Sequence, residues 1–196
     1  MPCFTTGTLV TTKEGDIVAE DLRPGQLVLT RDNGYQPVRR VGLKTMTSRF
    51  LLDNPHLRPI LILENAFGEG LPFRDTMVSP NTRLPVIETC GRFLAKEQEE
   101  MTAVKNLIDH NSVQQVDTVG VNYVLVIFDQ HEIVATNGFW SECFVPADKS
   151  LGAIGNSQRN EVFEVFPEER VRMNRTRVAP TGQRSVDIGR LRRFFN

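Results

Sequence analysis

Turn chemistry interrupts the first 145 or so residues of this chain at short intervals: Lys13-Glu14-Gly15-Asp16, Arg23-Pro24-Gly25, Asp32-Asn33-Gly34, Asp53-Asn54-Pro55, Thr89-Cys90-Gly91 and Asn137-Gly138. Between these signals stand runs rich in Val, Ile, Thr and aromatic residues. Such a chain can bury its apolar surface only as many short strands. Residues 5–12, 26–31, 35–47, 59–63, 75–79, 84–87, 92–95, 113–119, 121–128 and 133–135 read as strands. Pro24-Gly25 suits a type II turn. Asn33-Gly34 supplies the positive φ values of a two-residue hairpin. One longer helix is expected over residues 96–109, where Met101, Val104, Leu107 and Ile108 form a single apolar stripe. The expectation is an all-β domain with one inserted helix.

The chain has 196 residues, 40% of them hydrophobic and 24% charged, which suits one buried core and a small appendage. A formal net charge of -1 predicts no global attraction to nucleic acid or to anionic lipid. The longest uncharged apolar run, residues 123–128, is far shorter than the roughly 20 residues of a membrane span. With no basic segment followed by an apolar one at the start, a cytoplasmic protein is expected, with no membrane partner.

Three cysteines, Cys3, Cys90 and Cys143, lack CxxC spacing, and His56, His110 and His131 are scattered. That pattern gives neither a disulfide framework nor a zinc site, and no metal or cofactor is expected. Cys90 reads as a small residue at a hairpin tip.

The remainder differs in kind. Residues 151–166 suit one or two short helices interrupted at Gly155. From residue 168 onward eight arginines stand against three acidic residues, a local charge of +5 that leaves -6 for the rest. The sequence therefore divides into a β domain, 1–146, and a helical then arginine-rich extension, 147–196. A solvated tail against an acidic body and a protein-docking arm both fit the charge. Nucleic acid is disfavoured, because no groove-reading motif accompanies the arginines.

The chemistry concentrates at the start. Cys3 leads straight into a strand-forming run, placed to attack the peptide bond on its own N-terminal side. In an N-to-S acyl shift a cysteine thiolate attacks the preceding carbonyl and turns an amide into a thioester. The substrate would then be the chain's own N-terminal flanking peptide.

Cys3-Phe4-Thr5-Thr6-Gly7-Thr8, read with Glu20-Asp21-Leu22-Arg23-Pro24-Gly25-Gln26-Leu27-Val28-Leu29-Thr30, resembles the bacterial Hint (hedgehog/intein) domains. Further patches at residues 38–42, 54–60, 78–84, 129–134 and 137–146 keep the order, so the resemblance spans about residues 2–146. It implies a flat, pseudo-symmetric all-β fold in which the first cysteine meets a central Ser/Thr-x-x-His segment and a later histidine. The central segment falls on Ser79-Pro80-Asn81-Thr82, with Thr82 where the family has histidine. A hydroxyl cannot donate a proton as an imidazolium can.

His131 matches the later histidine, with Asp129 and Glu132 as candidate orienting groups. Ser79 is a candidate hydrogen-bond partner for the oxyanion or the scissile amide. Inteins end in His-Asn, and Ser141-Glu142 occupies the matching positions, so full splicing is not expected. Two readings result: a self-processing domain cleaving before Cys3 with Ser79, Thr82 and His131 at the site, or an impaired Hint fold retained as a binding or structural module. A cysteine hydrolase acting in trans through Cys3 and His131 is a third.

Overall fold

The computed structural model describes residues 3–87 and 99–143. Those residues include fourteen short strands and one α-helix: β1 Phe4–Thr5, β2 Leu9–Thr12, β3 Gly15–Val18, β4 Leu27–Thr30, β5 Gly34–Pro37, β6 Arg40–Thr47, α1 Ser48–Asp53, β7 Ile60–Ile62, β8 Thr76–Val78, β9 Arg83–Ile87, β10 Glu99–Ala103, β11 Val113–Gln115, β12 Gly120–Ile127, β13 Ile133–Thr136 and β14 Phe139–Glu142. No helix among them is long and apolar enough to cross a membrane.

Two six-stranded antiparallel sheets carry the fold. One runs β11-β7-β8-β1-β12-β6, and the other runs β14-β13-β2-β4-β5 with β3 on β2; β9 and β10 form a separate hairpin. The chain changes sheets where the sequence reads as continuous. The run 5–12 is two strands, because Gly7 takes φ +83 and turns β2 out of the plane of β1. Residues 35–47 divide likewise into β5 and β6, one in each sheet.

The first division is held by a carboxylate. Glu20 accepts the Gly7 N–H through both oxygens, at 2.9 and 3.0 Å. The Cys3–Thr8 and Glu20–Thr30 patches are therefore in contact. Their partnership fixes where β1 ends. It is central in its sheet, with Phe4 opposite both Val124 of β12 and Val78 of β8.

The apolar side chains gather in three clusters. Cys3 packs with Met46, Leu51, Leu57 and the β12 side chains Val121, Tyr123, Leu125 and Ile127. Phe4, Val10, Val28, Val124, Val126, Phe128, Val134 and Cys143 form a second cluster. Successive residues of β12 thus feed opposite faces of one sheet, as strand geometry dictates. Ile60, Ile62, Val78, Leu84, Val104 and Phe139 make a third.

Several expectations change. The helix expected over residues 96–109 is absent where the chain is described: residues 99–103 are β10, paired with β9, and Val104–Leu107 is a 3₁₀ turn. The apolar stripe is real but serves the third cluster, where Val104 is buried and Leu107 and Ile108 are partly so. The α-helix is instead Ser48–Asp53, opened by the Thr47 hydroxyl accepting from Phe50 N and closed before Asn54-Pro55. Thr30 pairs with Gly34, so the 32–34 hairpin has a three-residue loop with Gly34 at φ +63 rather than a two-residue turn. Asn137 and Gly138, at φ +43 and +86, do form the tight β13–β14 turn. The expectations for residues 88–98, Cys90 among them, and for residues 144–196 lie outside the described residues.

Candidate active site

Cys3 stands at the entrance to the central strand, 2% exposed. Its backbone is gripped by one turn. Residues 79–82 close on themselves through Thr82 N–H to Ser79 O at 3.0 Å, and Ser79 N–H donates to Cys3 O at 3.1 Å. The 3₁₀ segment pins that turn from behind, Val104 N–H donating to Thr82 O and Lys105 N–H to Pro80 O.

The side chains of the turn complete the grip. Cys3 N–H faces Ser79 Oγ at 3.1 Å and Thr82 Oγ1 at 3.2 Å. The Thr82 hydroxyl donates to Cys3 O at 3.1 Å, and the two hydroxyls are 2.9 Å apart. With the Thr82 proton on Cys3 O, Ser79 is the donor in that hydroxyl pair. Ser79 and Thr82 are 2% and 0% exposed, so this network is shielded from water. The nitrogen they address belongs to the peptide bond between residues 2 and 3. Two of the expected partners therefore reach the amide that a Cys3 nucleophile would have to break.

His131 is placed differently. Its Nε2 lies 2.7 Å from Oε1 of Glu142, which is itself 2% exposed, and Arg83 Nη1 approaches the same oxygen at 3.6 Å. The orienting groups expected from sequence are engaged elsewhere: Asp129 pairs with Arg39, and Glu132 accepts from Asn33 at 2.9 Å and Gln130 at 3.0 Å. Asp129 raises the Arg39 guanidinium through that hydrogen bond and its charge. The orienting carboxylate is Glu142, which in the sequence marks only a departure from the intein ending. The signal available in the sequence was a single acidic residue set among Phe139, Trp140, Cys143 and Phe144.

Cys143 follows at once. Its N–H donates to Glu132 O at 2.9 Å. Burial, foremost, then the charges of Glu142, Cys3 and Glu132, push its thiol well above the usual range. It is therefore protonated at neutral pH, and Cys3 lies near enough for the two sulfurs to feel each other. Neither cysteine is in a disulfide. Among the described residues no group of three or more His, Cys, Asp or Glu side chains is arranged to hold a metal ion.

The family model described as "Hint domain" matches residues 2–148. The chain belongs to the Hint domain family. No curated protein matches. Among solved structures, this Hint domain is similar to a DnaB intein from Synechocystis sp. PCC 6803, at 10% identity over 74% of this chain and 99% of that one, TM-score 0.47. It is also similar to a bacterial intein-like domain from Clostridium thermocellum, at 13% identity over 74% and 99%, TM-score 0.42. A third is the gp41-1 intein, at 14% identity over 74% and 99%, TM-score 0.40. The nearly all-β architecture with a single short helix is that of a Hint fold.

Proposed function

We propose that this Hint domain processes itself at its N-terminal end, with Cys3 attacking the Pro2 carbonyl in an N-to-S acyl shift. The observation that carries the reading is the double hydroxyl contact on the Cys3 amide nitrogen. In the step, the Cys3 Sγ–C bond forms, the Pro2 C–Cys3 N bond breaks, and the nitrogen takes a proton to leave as an amine. The thiol proton is released, so the shift is an isomerisation. The acyl group then rests on sulfur as a thioester, open to an external thiol. The substrate is the flanking peptide in cis. Ser79 and Thr82 hold the amide, and His131 assists; no splicing is proposed, since Ser141-Glu142 stands in place of His-Asn.

One observation favours the second reading, an impaired fold kept as a binding or structural module with the arginine-rich tail as its contact. Thr82 already commits its proton to Cys3 O and accepts from Cys3 N–H. It therefore holds the scissile nitrogen without being an acid for it. A general acid contributes typically 10²–10⁴-fold.

A reporter fused upstream of Pro2 and treated with dithiothreitol separates the two. Self-processing predicts release from the wild type, none from Cys3→Ala, and acceleration by about 10²-fold in Thr82→His. An intact fusion in both the wild type and Thr82→His overturns the first reading.

A further inference from the structure

The sequence holds two Asn-Gly pairs, Asn33-Gly34 and Asn137-Gly138. This dipeptide is the most labile setting for a carboxamide, because glycine has no Cβ to screen its backbone nitrogen from the asparagine Cγ. The fold treats the two pairs oppositely. Asn137 is 2% exposed and is held at both ends of its carboxamide, Oδ1 accepting from Leu9 N–H at 3.0 Å and Nδ2 donating to Thr76 Oγ1 at 2.7 Å. A Cβ on Gly138 would meet Leu71 and Phe73 at 2.9 Å, so that turn is walled in. Asn33 and Gly34 are both exposed at the tip of the β4–β5 hairpin, and a Cβ on Gly34 would meet nothing within 4 Å.

What the Asn33 carboxamide touches gives its chemistry a consequence. Its Nδ2 donates to Glu132 Oε2 at 2.9 Å, and Gln130 Nε2 donates to Glu132 Oε1 at 3.0 Å. Glu132 is itself 2% exposed, so its carboxylate depends on these amide donors in place of water. The backbone runs close by as well, Arg31 N–H donating to Ile133 O at 2.8 Å. The hairpin tip is thus fastened to the start of β13 through a neutral amide laid against a buried acid.

We propose that Asn33 is a site of spontaneous deamidation, and that the acid it becomes unfastens the hairpin tip from Glu132. The Gly34 backbone nitrogen attacks Asn33 Cγ, the Cγ–Nδ2 bond breaks, and ammonia leaves with the proton that Gly34 N gives up. Water then opens the cyclic imide, at Cγ to give aspartate or at the backbone carbonyl to give isoaspartate. Either product replaces the Nδ2 donor by an ionised carboxylate, which can only accept. Two like charges then face each other where a hydrogen bond stood. The isoaspartate also adds a methylene to the backbone of the loop. None of this depends on the reaction at Cys3.

The test ages the full chain at mildly alkaline pH, which favours the attacking nitrogen, and locates conversion by peptide mass and fragmentation. In the native protein Asn33 should convert at least about tenfold faster than Asn137, and the difference should vanish in urea, where the protection given by structure is gone. Asn33→Gln should suppress conversion at that position. Asn33→Asp represents the aspartate product, and its melting temperature should fall by about 3 °C or more for loss of a hydrogen bond to a charged group. Glu132→Gln added to Asn33→Asp should recover part of that loss. Asn33 intact in the native protein under conditions that convert it in urea overturns the site. Asn33→Asp melting with the wild type overturns the consequence at Glu132. Position 33 is exposed, so that comparison stands even where the double variant fails to fold.

Discussion

Two cysteines of one chain illustrate how far environment decides chemistry. Cys3 has its backbone clamped by Ser79 and Thr82, whereas Cys143 is enclosed by apolar neighbours with Glu142 and Glu132 nearby. Thiolate is the reactive form, and a thiol pushed up by burial and by like charge is inert. Iodoacetamide at pH 8 should therefore modify Cys143 only through unfolding, its labelling accelerating with denaturant in step with loss of structure. Rapid labelling of Cys143 in the native protein would contradict that burial. The sequence marked Cys3, Ser79, Thr82 and His131 through its resemblance to Hint domains. Glu142 was not marked, because its contacts with His131 and with Arg83 of β9 are encoded by no spacing along the chain.

Elements are set by a few polar contacts at their ends. Glu20 on the Gly7 N–H decides where β1 stops and β2 leaves the sheet. A charge-assisted hydrogen bond of this kind is worth about 1.5–3 kcal/mol. Glu20→Ala should thus lower the melting temperature by about 3–12 °C, a range taken from the per-kilocalorie shift of domains this size. An unchanged melting curve would mean that the turn stands without it.

A second such contact is Asp109, whose carboxylate accepts from the N–H groups of Asn111, Ser112 and Val113 and from the Ser112 hydroxyl. The Ser112 hydroxyl, followed by the backbone N–H groups, holds its carboxyl well below the usual range. The folded state therefore binds this proton more weakly than the unfolded one. The stabilisation is present above about pH 4, the ordinary carboxylate range, and is lost as pH falls toward the depressed value. Asp109→Asn should melt below the wild type at pH 7, with the gap narrowing as the pH is taken down to 2. A gap that stays constant would remove Asp109 from the acid response.

The same scale explains why the helix expected over residues 96–109 does not form where the chain is described. Met101, Val104, Leu107 and Ile108 satisfy a helical period, but strand pairing of β10 with β9 outweighs a local preference that the sequence reports without its neighbours. The segment after Ala103 then becomes the brace for the Ser-Pro-Asn-Thr turn. A helix there would have withdrawn that brace.

For the molecule as a whole, frequent turn signals were enough to indicate an all-β domain over about the first 145 residues. The distribution of its strands over two sheets was hidden, since it depends on where glycine and a distant carboxylate bend the backbone. The consequence of that distribution is functional. It brings the first described residue, the turn at 79–82 and the end of β14 into one buried region, from positions spread across the chain. Hydroxylamine cleaves a thioester and spares an amide, so it reads the central claim directly. A fusion carrying a peptide upstream of Pro2 should yield, by intact mass, a fragment ending in a Pro2 hydroxamate and a second fragment beginning at Cys3, with neither from Cys3→Ala. An unchanged fusion mass, or equal cleavage in Cys3→Ala, would contradict it.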